Sequence, residues 1–421
     1  MVTFKTFDSI DFQSIEIDPF WNIGDERELK IHGIHAYPAK FPSFITTKAL
    51  SYVKKKTDMA PKSIGDVFCG CGTTAVEAKR NGIPFWGCDI NPVATLIAAT
   101  KSKDYDLHVL DAMYEAILDQ YQNIESVSKY AEANERLQYW YSAEQYDELQ
   151  KLTMSIERVT KENSEYRDFF NCAFSNILKP TSMWLTKSIK PQFDPKKQPI
   201  DVMTAFSKQY KKMRVAVQEL PDQPKVEAEF ITDNFLNPGL IPPTVDLVVT
   251  SPPYVTSYEY ADLHQLSSLW LGYADDYRQL RQGSIGSSFH EYNATGLFAQ
   301  LNDVGFSIAT QLYTKSKSQA HAVAVYFRDM QQVAEKVYRM LNPNGHALFV
   351  IGNTEYKGVR IDNAKHLGTS LLEAGFSSVD VTKRKISNKI LTPYRDKDGK
   401  FSTDKVGRKV YAEEFILIGR K

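Results

Sequence analysis

The chain has 421 residues, with 51 Lys+Arg against 51 Asp+Glu, so the formal net charge is zero and singles out neither nucleic acid nor membrane as a partner. That length suffices for two or three domains, or for one large domain with a substantial insertion. Cys69, Cys71, Cys88 and Cys172 lack the paired spacing of a zinc site or a secreted disulfide framework, and no signal-like start or bilayer-long apolar run occurs, so a reduced, cytoplasmic setting without membrane contact is expected.

In chain order, "HAYPAKFP" (35–42) comes first. His32 and His35 invite a metal reading, but no third ligand accompanies them, so packing or hydrogen bonding is expected there and no metal is assigned. "SIGDVFC" (63–69) then reads as a strand, followed by a glycine turn and a helix starting near Thr73. Gly70 and Gly72 let backbone approach a ligand, and the exposed N–H groups of a helix start favour an anionic group. A second strand, "IPFWGCDI" (83–90), ends in Asp89. Gly70, Gly72 and Ala75 satisfy a GxGxxA dinucleotide fingerprint, with Asp89 near the spacing of a ribose-binding acid. More than one nucleotide-type ligand fits at this point, and a turn needed only for strand-to-helix packing stays open.

Residues 101–225 are too long for a crossover and carry helix-like patterning, as in "YWYSAEQYDELQKLTMSIERV", then a proline-interrupted basic stretch. From Lys179 to Arg214, Lys187, Lys190, Lys208, Lys211, Lys212 and Arg214 stand among Trp184, Phe193 and Tyr210, which suits phosphate contact or a merely solvated helix face. Strands "EAEFITDN" (227–234) and "VDLVVTS" (245–251) follow, the latter running into "TSPPY" (250–254). Proline cannot donate to a sheet ladder, so the pair ends the strand and stiffens its exit, either as a plain turn or as the lip of a site at the strand's carboxyl end. The next stretch, to about residue 288, is an alternative recognition or lid element with Gly283 and Gly286 as hinges. "HALFVIGN" (346–353), "SSVDVTK" (377–383) and "FILIGRK" (415–421) complete seven strands. Only the basic, turn-rich stretch Lys383 to Lys409, including "KRKISNKILTPYRDKDGK", separates the last two, so an antiparallel final strand is expected in an otherwise mostly parallel α/β sheet.

"DVFCGCGTT" with "GCDINP", and "TSPPY" far downstream, resembles the S-adenosylmethionine-dependent amino-methylating DNA methyltransferases, especially those acting on cytosine N4. The resemblance implies a Rossmann-like seven-stranded methyltransferase sheet, its halves at 1–100 and 226–421, with 101–225 as an inserted helical subdomain for target recognition. It implies that Asp66, Phe68, Gly70 and Gly72 shape the cofactor pocket, Thr73 and Thr74 lie near the methionine carboxylate, and Asp89 with Ile90 meets the ribose side. Tyr37, Pro38 and Ala39 would help close over the methionine end. Asp233 would contact the adenine amine, although a turn aspartate reads equally well there.

The chemistry gives TSPPY a purpose. An exocyclic amine is conjugated with its ring and attacks a sulfonium methyl poorly. Ser251 and the carbonyl of Pro252 can accept both amine hydrogens and favour a tetrahedral nitrogen, with Pro253 keeping the backbone rigid and Tyr254 offering a face for stacking. Carbon-5 methylation needs an activated thiol, typically after proline, and no cysteine here follows one. Serine leads the tetrapeptide, which by the resemblance leans to cytosine N4 over adenine N6. The expected partner is double-stranded DNA from which the base is extruded, possible company a cognate restriction endonuclease, and the product S-adenosylhomocysteine. Methylation of an RNA base amine or guanine N2, and a non-catalytic DNA-binding subunit, are the alternatives. A dehydrogenase would use the same glycine turn but leaves TSPPY without a role.

Overall fold

The computed structural model describes residues 7–421 apart from 8, 25–26, 39, 41, 126–127, 221–223, 256–259, 287–295, 387–393, 396–407 and 410–413, with backbone alone at 394–395 and 408–409. Its centre is a seven-stranded sheet of β1 (Ile64–Asp66), β2 (Phe85–Asp89), β3 (Ala228–Thr232), β4 (Val245–Thr250), β5 (Leu341–Gly352), β6 (Ser378–Arg384) and β7 (Glu414–Arg420). The spatial order is β3-β2-β1-β4-β5-β7-β6. The strands β1 to β5 run parallel, and β7 enters antiparallel between β5 and β6, Phe415 standing opposite Ile351 on one side and Lys383 on the other. Chain order reverses at β1, where the chain turns from building toward β3 to building toward β4. Open α/β sheets bind ligands at such a switch point, outside the carboxyl ends of the strands.

Strands buried on both faces read as continuous apolar runs, and β7 shows why. Phe415 and Leu417 face Val323, Phe327, Met330 and Val337 of a long helix, α12 (Lys317–Met340), and Leu367 and Leu371 of α13 (Asn363–Glu373). Ile416 and Ile418 face the other way, onto Phe44, Ile45 and Val53 of α1 (Phe44–Thr57). Among the described residues no helix is long and apolar enough to cross a membrane.

Helices α2 (Thr73–Arg80) and α3 (Pro92–Ser102) follow β1 and β2. The turn into α2 holds Gly70 at φ 48° and Gly72 at φ 76°. A β-carbon on Gly72 would lie 2.7 Å from the Cα of Ala98 in α3, so its lack of a side chain serves helix packing as well as the turn. Between β2 and β3 come α4 (Leu107–Asn123), α5 (Glu135–Trp140), α6 (Ala143–Val159), α7 (Ser164–Ile177) and α8 (Val202–Gln218). Asp106, Asn134, Ser142, Asn163 and Asp201 cap their amino ends with side-chain oxygens. Their apolar faces share one cluster with Val76 of α2 and Val93, Leu96 and Ile97 of α3. Downstream of β4 lie α9 (Tyr260–Leu263), α10 (Gln265–Trp270) and α11 (Asp303–Tyr313).

One carboxylate ties β1, α2 and β4 together. Asp66, fully buried, accepts from the Thr74 hydroxyl at 2.8 Å, the Thr250 hydroxyl at 2.6 Å and the Phe68 N–H at 3.2 Å. Burial pushes its pKa up to about 7, against the pull of those hydrogen bonds and with help from the Asp89 charge.

Two tests follow from this packing. Ile416→Ala and Leu417→Ala are each expected to cost about 2–5 kcal/mol in urea unfolding, and a loss under about 1 kcal/mol for either would mean that its face of the sheet is open to water. The Asp66 carboxyl keeps its proton in the folded chain to about pH 7, whereas an unperturbed one ionises near 3.8. Its contribution to stability is therefore greatest below that lower value and falls as pH rises to about 7. Asp66→Asn cannot ionise, so its thermal midpoint should decline less steeply than the wild type's across that window; equal slopes would assign the titration to other groups.

Candidate active site

At the carboxyl ends of β1, β2 and β4 the burial pattern changes. Phe68, Gly70, Asp89, Ile90, Ser251, Pro253 and Tyr254 are all partly exposed, while the strand residues immediately before them are mostly buried; Asp233, also partly exposed, follows the less buried β3. Because Ile64 stands beside Leu247 and Gly65 beside Val248, the glycine turn and TSPPY leave adjacent strands at the same level. The Asp66–Thr250 bond fixes the last residue before Ser251 against the start of that turn.

Ser251 donates its hydroxyl proton to the Val350 carbonyl of β5 at 3.1 Å. With the proton so placed, the oxygen turns its lone pairs elsewhere and can act as an acceptor. Pro252 is buried behind it. The Tyr254 hydroxyl donates to Glu414 at 3.1 Å, and Glu414 pairs with the buried Arg384 guanidinium.

Asp89 ends β2, on the far side of β1 from TSPPY. Its two carboxylate oxygens accept from the Gly70 N–H at 2.8 Å and the Asn91 N–H at 2.9 Å, which leaves lone-pair capacity on both. Burial pushes its pKa up to about 6 against those two bonds, so it is mainly ionised at neutral pH. Tyr37 lies over the turn, its ring 3.5 Å from where a β-carbon on Gly70 would be, and stacks on Tyr260 and His264 at 5.9 and 5.3 Å. Burial raises its phenol pKa well above the usual value, so the ring stays neutral. Pro38 is partly exposed beside it, and Ala39 lies outside the described residues. Phe68 meets Phe235 edge-on. Thr73 and Thr74 open α2 and are buried; the Thr74 hydroxyl is engaged by Asp66, while Gly72 at the N-cap offers no side chain to the first N–H groups of the helix. Asp233 donates its N–H to the Asp89 carbonyl, and its carboxylate accepts from the Asn234 N–H and the Asn237 amide, as a turn aspartate does.

Further residues contribute to the site, some of them, such as the Asn91–His264 pair, through contacts that the sequence does not mark. The Asn91 side chain meets His264 at 2.7 Å, and burial pushes that imidazole down to about 4, keeping it neutral. Gly283, at φ 81°, packs against Ile90 and Asn234, while the Gly286 N–H donates to Asp329 of α12, so this strap reaches from the β2–β3 end to the opposite helix layer. Thr250 had a signal, being the first letter of TSPPY. Glu414 and Arg384 had none, since their partner lies far away along the chain.

The basic residues divide. Lys187 and Lys190 are exposed in the loop 184–193, and Lys208, Lys211 and Lys212 are exposed on α8. Lys208 and Lys211 line a cleft of about 640 Å³ with Tyr121, Gln122 and Ser207. Arg214 makes a two-pronged pair with Asp111 at 2.6 and 2.7 Å. Of the aromatic residues among them, Trp184 and Tyr210 are buried and Phe193 is exposed. Most of "KRKISNKILTPYRDKDGK" lies outside the described residues. His32 bonds Glu77, and His35 bonds Ser175 and the Ala36 carbonyl; among the described residues no group of three or more His, Cys, Asp or Glu side chains is placed to hold a metal.

No family model matches the chain. It is 23% identical over 363 residues, 78% of its own length and 78% of the relative's, to the Type II methyltransferase M.MvaI of Kocuria varians. It is 23% identical over 380 residues, 76% of its length and 74% of the relative's, to the Type II methyltransferase M.BsoBI of Geobacillus stearothermophilus. A shorter match, 38% identical over 85 residues, covers 20% of this chain and 15% of the Type II methyltransferase M.MjaII of Methanocaldococcus jannaschii. Among solved structures, an rRNA methyltransferase, aviRa of Streptomyces viridochromogenes, aligns over 93% of this chain and 89% of its own at a TM-score of 0.31 and 8% identity. Over three quarters of its length, then, this seven-stranded α/β protein is similar to Type II methyltransferases.

Proposed function

We propose that the chain is an S-adenosylmethionine-dependent DNA methyltransferase that methylates the exocyclic amine of an extruded base, cytosine N4 in preference to adenine N6. The observation that carries this reading is the Ser251 hydroxyl, at the end of the strand next to the glycine turn and turned into an acceptor by the Val350 carbonyl of β5. In this reading 1–100 and 226–421 form the catalytic unit, 101–225 recognises the target, and a cognate endonuclease would share the recognition site.

The residues fit the cofactor. Asp89 has acceptor capacity left for ribose hydroxyls, the uncapped start of α2 suits a carboxylate, and Phe68, Gly70 and Ile90 are each partly exposed. When bound, the cofactor supplies a methyl group activated by a sulfonium sulfur. Ser251 and the Pro252 carbonyl accept the two amine hydrogens, which draws the nitrogen lone pair out of conjugation. The Asp66 clamp and the proline pair hold these acceptors where charge develops, so little reorganisation accompanies transfer. Tyr254 offers its ring to the base while its hydroxyl stays on Glu414. Asp233 keeps a lone pair on each oxygen for the adenine amine although its turn bonds are made.

Ser251→Ala should lower the single-turnover rate by about 10²–10³-fold with cofactor affinity unchanged; a variant as fast as wild type would remove the serine from the chemistry. Ribose hydroxyls bond best to the ionised carboxylate, so affinity for S-adenosylmethionine should be full above pH 6 and fall as pH drops through it, where Asp89 takes a proton. Asp89→Ala should weaken binding about 10–100-fold by calorimetry and abolish that pH dependence. Digestion and mass spectrometry of DNA from cells expressing the protein should yield N4-methylcytosine; N6-methyladenine would reassign the base, and methylation confined to RNA would end the DNA reading.

A further inference from the structure

The loop 184–193 is closed at its base by the Leu185 N–H donating to the Gln192 carbonyl at 2.8 Å and by a bridge between Trp184 and Phe193. Lys179 steadies the far side by donating to the Ser188 carbonyl at 2.7 Å. Lys187 and Lys190 sit exposed in this loop, and neither forms an ion pair among the described residues. At its base Phe193, 36% exposed, meets Tyr139 of α5, 49% exposed, with ring centres 5.1 Å apart. Two exposed aromatic rings thus meet across separate elements, and a stacked Trp140–Trp184 pair underlies them. The Arg136 guanidinium lies 5.1 Å over the Tyr139 ring, and its Nε donates to the Gln265 amide oxygen rather than to a carboxylate.

That amide oxygen also accepts from the Trp140 indole at 3.1 Å. Gln265 follows His264, which bonds Asn91 and stacks on Tyr37 over the glycine turn. A continuous path of contacts therefore runs from Asp89 through Asn91, His264 and Gln265 to the aromatic pair. Cations without carboxylate partners beside exposed rings suit a ligand with phosphates and flat bases, since any base can stack on an aromatic face and any phosphate can meet a lysine.

We propose that this platform docks the DNA around the target: the phosphodiester backbone crosses Lys187 and Lys190, and a base left unstacked by extrusion lies against Tyr139 and Phe193. The proposal rests on the DNA methyltransferase reading and assigns its substrate to a named surface. Its occupant is DNA with an unpaired base, which the flanking positive charge favours over an apolar protein segment.

Full-length protein with S-adenosylhomocysteine would be titrated with short fluorescent duplexes carrying one central unpaired base, and with fully paired duplexes, over a range of salt. Tyr139→Ala/Phe193→Ala is expected to weaken binding to the unpaired-base duplex about tenfold or more, to affect the paired duplex less, and to leave the salt slope unchanged. Lys187→Ala/Lys190→Ala should weaken both probes and lower the slope by about 2. Unchanged S-adenosylhomocysteine affinity would certify that each variant is folded; Tyr139→Phe/Phe193→Tyr, which keeps both rings, should bind both duplexes as wild type does, and Lys187→Arg/Lys190→Arg, which keeps both charges, should do the same. If wild type binds both duplexes and both double variants match it within twofold, the platform is wrong and the enzyme reading stands. If wild type binds S-adenosylhomocysteine but no duplex at low salt, the DNA reading itself fails and takes the platform with it. Binding of RNA alone through the same side chains would overturn the DNA occupant.

Discussion

Asp66 is the constraint on which the site depends. Its buried carboxylate collects a hydroxyl from α2, a hydroxyl from the end of β4 and a backbone N–H from the exit of β1. On its β5 side β4 is laddered as far as Thr250, but toward β1 its last pairing is at Val248, before TSPPY begins. The Thr250–Asp66 bond extends that alignment by two residues and delivers Ser251 at a fixed height beside the glycine turn. Removing one donor from a buried acceptor costs more than the bond itself contributes, which makes the three-way contact cooperative.

Two acids on neighbouring strands take different parts because their surroundings differ. Asp66 is sealed, rises to about 7 and serves the framework; Asp89 keeps a partly exposed edge, rises to about 6 and stays mainly ionised at neutral pH. The ionised Asp89 itself helps hold Asp66 up. Such a separation of two nearby carboxyls by environment is how one fold gives similar side chains distinct jobs. Tyr254 obeys a similar logic. Its hydroxyl is held by Glu414, whose own charge is met by buried Arg384, so the ring's orientation is set from behind by strands added last in the sequence.

What could be read from the sequence follows the range of the interactions. Strands buried on both faces leave unbroken apolar runs, so "VDLVVTS" and "FILIGRK" announced themselves, and the missing helix before the last run foretold the antiparallel β7 seen here. The glycine turn and TSPPY were legible because backbone geometry there demands particular residue types. Asp233 was ambiguous for a physical reason: an aspartate at a strand end can bond its own turn or a ligand, and its bonds to Asn234 and Asn237 are local ones. Contacts between residues distant in the chain were not legible. Nothing near Glu414 marks it for Tyr254, and nothing near Gly368 shows that a β-carbon there would strike the ring of Phe7.

Charge was the property the sequence most overstated. Counting cations from 179 to 214 suggests a uniform basic surface, yet Lys179 donates to the Ser188 carbonyl and Lys197 to the Lys179 and Trp184 carbonyls, and burial beside Lys179 pulls Lys197 down to about 8. Arg214 is committed to Asp111, whose carboxyl its guanidinium holds down to about 2. A cation already paired releases little when a phosphate arrives, because one set of contacts replaces another. The lysines left exposed stand on α8 and on a loop whose buried side chains share one cluster with α2 and α3. The lysines are thereby joined through close-packed side chains to the helices that follow the glycine turn and Asp89, and packed side chains transmit a displacement rather than absorb it.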